Sequence, residues 1–199
     1  MELFATNSFI PIQTEGKGLD LEYSVTNQVL ADAFKLYDTA SRRLLCPFLW
    51  HDLSGTGTAE FTIYDEGRNN SRLVNVEDHL FIDIPGTGTE SHDWVIVEDI
   101  QQGVVMQAND SMGIKLRACG DPNNAEDKTS HFFTESATST LIIVRNENVV
   151  TASYHGRNEK PNLETGNTLE NIRNGVVALG ALIGLSKLQW TSLLKGLLS

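Results

Sequence analysis

The feature that most restricts the fold of this chain is the order in which its hydrophobic periods change. From Ser24 to Leu45, Val25, Val29, Ala33, Leu36, Tyr37, Ala40 and Leu44 recur at steps of three and four, which predicts an amphipathic helix over 24–46. Ser24 or Thr26 is positioned to cap it, and Pro47 ends it. From about residue 57 to 156 the period is two, in runs such as "AEFTIY", "HLFIDI", "WVIVEDI" and "GIKLRAC" separated by turn-forming residues. The strongest hairpin is "STLIIVRNENVVTASYH", two strand runs joined at Asn146-Glu147-Asn148. No helix-length segment interrupts these runs, so the strands connect as antiparallel neighbours and not as βαβ units.

The ends complete the pattern. Residues 1–23 contain Pro11 and a glycine-broken "TEGKG", which suits an N-terminal arm or edge strand. Residues 167–198 read as a helical pair, one helix from about Thr168 to Leu185 and a second from Lys187 to Leu198 behind Ser186. The expectation is one α+β domain over 1–199. Its antiparallel, curled or partly closed sheet of six to eight strands is flanked by an N-terminal amphipathic helix and a C-terminal helical pair. Strand, helix, several antiparallel strands and a long terminal helix is an order that resembles the helix-grip folds. That resemblance implies an apolar ligand enclosed between sheet and helix.

Charge narrows the partners. Lys and Arg total 15 against 26 Asp and Glu, a formal net charge of -11, and no basic run is longer than Arg42-Arg43. Such a chain does not offer the clustered cations that nucleic acid or an anionic membrane surface requires. The sequence shows no apolar run of membrane-spanning length and no secretory leader pattern, so a cytoplasmic location is expected, with Cys46 and Cys119 as reduced thiols. Cofactor motifs are missing as well. The two "GTGT" segments lack the lysine of a phosphate loop and precede strands instead of helices, and the five histidines have no metal-ligand spacing.

Three groups of residues remain as candidate sites. "ESHDW" places Ser91, His92 and Asp93 side by side, the residue types of nucleophilic catalysis, although such sets assemble across a fold more often than along a chain. At the end of the best hairpin, strand alternation puts Val150, Ala152 and Tyr154 on a core face and His155 on the opposite, polar one. Gly156 is then expected to turn the chain into a loop bearing Arg157, Asn158 and Glu159. These four, His155 included, form either a ligand-binding cluster or a strand exit whose polar groups serve the backbone. The strand exit is preferred, because Arg157 has acidic neighbours to pair with in so acidic a chain. The third group is Gly180 and Gly184, a GxxxG spacing, with Trp190 beyond them, which together suit a homo-oligomer interface.

Two functions are therefore carried forward. One is a non-enzymatic binding or interaction protein that holds a small apolar ligand or self-associates through its C-terminal helices. The other is a small hydrolase-like or isomerase-like enzyme using His92 or His155 with nearby carboxylates. Convergence of two histidines with a carboxylate would favour the enzyme; a buried cavity with aliphatic and aromatic walls would favour binding.

Overall fold

A computed structural model of the chain describes residues 9–55, 57–65, 71–84, 93–103, 108–124, 133–161 and 187–199. Within them the architecture is α+β. Seven strands form a single antiparallel sheet in the order β1-β7-β6-β5-β4-β3-β2, with helices α1 and α2 following β1 and a C-terminal helix over 187–197. The strands are β1 (Lys17–Thr26), β2 (Glu60–Ile63), β3 (His79–Asp83), β4 (Asp93–Gln102), β5 (Asp110–Cys119), β6 (Thr138–Asn146) and β7 (Val149–Glu159). Helix α1 runs Leu30–Leu44, a 3-10 turn Pro47–Leu49, and α2 Trp50–Ser54. β1 and β2 are the edges of the sheet. Register shifts at Lys17/Leu19 and at Val97/Asp99 are the local irregularities that bend it.

The central hairpin forms as its alternation requires. Asn146 faces Val149 across the two-residue turn Glu147-Asn148, with Glu147 at φ 51. Val150, Ala152 and Tyr154 are all buried and join one apolar cluster with Leu141, Ile143, Ile114 and Leu116. α1 supplies Ala33, Ala40 and Leu44 to the same cluster, the inward stripe of its three-and-four spacing.

The start of α1 differs from the sequence expectation. Ser24, Val25 and Thr26 are not helical; they end β1, paired with Thr151, Val150 and Val149. The alternation Leu19, Leu21, Tyr23, Val25 competes with the helical spacing that begins at Val25, and the long edge of β7 decides in favour of the strand. Asn27 then closes the pairing, its N–H donating to the Asn148 carbonyl at 2.8 Å, and the helix starts at Leu30 without a side-chain cap. The expected 1–23 arm is divided: residues 9–16 precede the sheet, and the edge strand is already under way at Lys17. The arm lies over the outer face, where Phe9 packs with Ile142 and Val144 in space left by Gly113.

The C-terminal helix closes the opposite, inner face. Leu193, Leu194, Leu197 and Leu198 are buried, each a contribution of roughly 1.5–3 kcal/mol. Arg43 of α1 adds direction to this apolar seat. Its Nη1 donates to the carbonyls of Gly196 and Leu197, both at 3.2 Å, and to that of Ser199 at 2.6 Å, meeting the unpaired acceptors of the helix end. The first helix expected at the C-terminus, from Thr168 to Leu185, lies outside the described residues.

Gly196 is where this helix passes the backbone of α2: a Cβ there would collide with the Leu53 carbonyl. Alanine in a helix normally stabilises relative to glycine by about 1 kcal/mol. Gly196→Ala is expected to do the reverse and cost about 1–3 kcal/mol, as overpacking does, read as a lowered midpoint in chemical denaturation.

Candidate functional site

β7 does not leave the sheet at Gly156, as its sequence suggests, but continues to Glu159. The end of the strand carries a bulge. Leu19 pairs with Gly156 and Lys17 with Glu159, so two steps on β1 match three on β7, and Asn158 takes up the difference at φ 56. Asn158 holds that conformation by binding the arm. Its Oδ1 accepts from the backbone N–H of Thr14 at 2.8 Å, from Thr14 Oγ1 at 3.1 Å and from the N–H of Glu15 at 3.2 Å, while its Nδ2 donates to the Ile12 carbonyl at 3.3 Å. Every polar atom of the Asn158 side chain is thereby engaged with the backbone or side chains of residues 12–15.

On the outer face His155 and Arg157 converge on Asp20 of β1. His155 Nδ1 lies 2.6 Å from Asp20 Oδ1, and Arg157 Nη2 donates to the same oxygen at 2.7 Å. The other imidazole nitrogen, Nε2, is 3.1 Å from Ser153 Oγ. Ser153, His155 and Asp20 therefore share the connectivity of a nucleophile, its base and an orienting carboxylate. Acyl transfer asks for more than connectivity. Ser153 is only 2% exposed, and it sits mid-strand between Glu22 on β1 and Ile142 on β6, with ladders on both sides. This trio ties the edge strand to its neighbour.

Its electrostatics reflect that placement. Burial lowers the pKa of His155 and the Asp20 carboxylate opposes this, with the net result below the ordinary value. For Asp20, burial acts upward, but the hydrogen bonds from Arg157 and His155 outweigh it and hold the carboxyl below its usual range.

The bulge sends Glu159 the other way. It lies on the Tyr154 face, its carboxyl in the space above Gly156 that a Cβ there would occupy. Tyr154 Oη donates to Glu159 Oε1 at 3.2 Å, and Ser139 Oγ lies 3.0 Å from the same phenol. Next to them is a small cavity of about 20 Å³ lined by Val95, Leu116, Ala118, Phe133, Ala137, Thr138, Ser139 and Glu159. The isolated bridge between Phe133 and Pro161 joins the segments on either side of it. Thr138 also lines it, but pairs with Arg117 and Arg157, so its side chain, whose Oγ1 has no hydrogen-bond partner among the described residues, lies on the outer face. Burial raises the pKa of Glu159 and outweighs the Tyr154 hydrogen bond and the more distant cations Arg157 and Lys17. Burial likewise raises that of Tyr154. Trp190 covers this group from the C-terminal helix, stacked on the Tyr154 ring at 4.6 Å and 17°.

A second hollow, an open groove of about 680 Å³ lined by Gln28, Leu30, Phe34, Asn109, Arg145, Glu147 and Asn148, is larger but less equipped. Arg145 is bound to Asp110 and to the Glu147 carbonyl and lies over the Phe34 ring; Asn109 Oδ1 accepts from the Glu147 N–H, and Asn148 Nδ2 donates to Asn27. Its recognition groups already serve the fold.

Of the residues singled out in the sequence, the structure brings His155 and Arg157 together on the outer face, gives Asn158 to the arm and turns Glu159 inward. Trp190, expected at a subunit interface, is an interior residue at 7% exposure, because its ring completes the packing of Trp50, Phe61 and Tyr154. Asp93 opens β4 opposite Ile82, whereas Ser91, His92, Gly180 and Gly184 lie outside the described residues. Cys46 and Cys119 are free thiols, and burial pushes Cys119 up to about 12, far from a reactive value. The sequence does not single out Ser139 and Tyr154 as site residues. Nothing in one sequence distinguishes their hydroxyls from those of other strand residues until the bulge brings Glu159 beside them.

These two buried groups give stability opposite dependences on pH. Below the ordinary histidine value of 6.5 the unfolded chain takes up a proton that buried His155 resists, so the wild type loses stability relative to His155→Gln as pH falls from 8 to 5. Glu159 has the other sign. Its folded pKa lies above the ordinary 4.5, so its ionisation costs stability as pH rises past that value, and the cost persists at neutral pH. Glu159→Gln is expected to raise the melting temperature at pH 8 by about 2–4 °C, the equivalent of about 1 kcal/mol in a chain of this length, and by less at pH 4.

No protein-family model matches the chain, and neither does any curated protein. Among solved structures it is similar to a hypothetical protein from Helicobacter pylori, with a TM-score of 0.54 and 9% identity over 98% of this chain and 95% of that one. Looser likenesses include a protein from Mycobacterium smegmatis, at TM-score 0.42 and 12% identity over 92% and 90% of the two chains. Another is a major latex-like protein from ginseng, Panax ginseng, at 0.36 and 13% over 88% and 97%. The Helicobacter pylori protein shares the fold, and at that identity the likeness extends to the fold alone.

Proposed function

We propose that the chain is a binding protein that holds a small, largely apolar molecule between the inner face of the sheet and the C-terminal helix. The observation that carries this reading is the group at the cavity end. A buried carboxyl without a salt-bridge partner among the described residues, a phenol and the Ser139 hydroxyl stand beside walls that are otherwise mostly apolar. Ligand sites combine mostly apolar walls with a few placed polar groups. A buried, perturbed carboxyl that lowers stability suits a group retained for binding.

At about 20 Å³ the cavity has room for one water-sized group. A larger ligand enters when its walls separate; no described residue of the C-terminal helix lines the cavity itself, but Trp190 packs on the neighbouring Tyr154. Opening on ligand entry is a population shift of the kind packed helices undergo.

Native mass spectrometry of protein purified from its own host tests the reading. A mass excess that disappears under denaturing conditions is expected, and its identification gives the ligand. A chain that carries no adduct, and that takes up none from an extract of small apolar molecules, overturns the proposal.

A further inference from the structure

Resting on that reading, we propose that the molecule held at Glu159 is a primary amine, bound through its protonated head group. The direction of the hydrogen bonds supports this. Tyr154 donates its one phenolic proton to Glu159 Oε1, so the 3.0 Å contact between Ser139 and Tyr154 is made with the Ser139 proton. The chain Ser139 to Tyr154 to Glu159 thus sends its protons towards the carboxyl. What it leaves for a ligand are acceptors: the lone pairs of Ser139 and the second carboxyl oxygen.

A head group that fits must donate and need not accept. An ammonium brings three donors and no acceptor. A carboxylate brings acceptors only and would face the Glu159 carboxyl, with the exposed Lys17, the cross-strand partner of Glu159, as the cation on that side. The nearest guanidinium, that of Arg157, is held on the other face by Asp20 and by its bond to the Gly156 carbonyl at 2.8 Å. Size points the same way. The cavity accepts one water-sized group, which an ammonium matches and a quaternary ammonium exceeds. The aliphatic walls from Val95, Leu116 and Ala118, with Phe133, suit the methylenes attached to it. Bound this way, the amine brings a positive charge into direct contact with a carboxyl that has no salt-bridge partner among the described residues.

The test compares octylamine, octanol and octanoate at pH 7 on the full chain by titration calorimetry, with tryptophan fluorescence as a second readout of binding. The amine is expected to bind on the order of tenfold more tightly than the alcohol, the difference between a charge-assisted and a neutral hydrogen bond, with octanoate weakest. Glu159→Gln, which preserves shape and is expected to be the more stable protein, should bring the amine down to the affinity of the alcohol. Glu22→Gln, the loss of an exposed outer-face carboxylate, should leave the preference intact and so separate the site from general attraction to an acidic protein. Equal binding of the three probes, or an amine preference that survives Glu159→Gln, overturns the amine assignment and leaves the apolar-ligand reading standing. Failure of all three to bind overturns both.

Discussion

One backbone irregularity organises the chemistry of this molecule. Asn158, held at φ 56, absorbs an extra residue in β7 and reverses the facing of Glu159 after it. Without the bulge Glu159 would continue the alternation of His155 and Arg157 and join them on the outer face. With it, the carboxyl lies over Gly156, bonded to Tyr154. The positive φ is uncommon for a side-chain-bearing residue, though asparagine tolerates it better than most. Here four hydrogen bonds to residues 12–15 stabilise it, each worth about 1 kcal/mol net. The arm and the bulge therefore depend on one another, and the arm's position on the outer face is coupled to a carboxyl on the inner one.

The same strand end serves two purposes that separate by face. Outside, Asp20, His155 and Arg157 secure an edge strand that contributes few fully buried side chains of its own. Ion pairs at such a half-exposed position are worth little singly, roughly 0–1 kcal/mol, so it is their combination with the ladder to β7 that keeps β1 in place. Inside, the groups are fewer and less well satisfied. Glu159 takes one hydrogen bond, from Tyr154, and no salt bridge among the described residues, while burial raises its pKa.

Much of this architecture is legible in the residues themselves. The alternation of "STLIIVRNENVVTASYH" identifies β6, β7 and their turn, and the inward assignment of Val150, Ala152 and Tyr154 comes from the period of two alone. The stripe Ala33, Leu36, Tyr37, Ala40, Leu44 likewise identifies α1. β1 is harder because Val25 satisfies both periods, and only its partner strand, far along the chain, settles its state. The end of β7 is harder still. Gly156 before Arg-Asn-Glu has the composition of a turn, and the forces that override a turn are tertiary: pairing with Lys17 and the capture of Asn158 by a distant arm. Trp190 shows the same limit. A tryptophan on an apolar helix fits an interface and a core equally well, and the stacked Tyr154 ring is what places it inside.

A carboxyl held in apolar surroundings is normally removed by selection for stability, since an amide of the same shape keeps the Tyr154 hydrogen bond without the cost of ionisation. Glycine at 156 sharpens the point. It weakens a central strand, yet any Cβ there would displace the Glu159 carboxyl. Two local departures from the rules of strand sequence thus meet at one side chain, and both concern its placement instead of the packing around it. Departures that coincide in this way mark functional positions more often than structural ones. In this fold they coincide beside Tyr154, the residue whose ring stacks on Trp190 of the C-terminal helix.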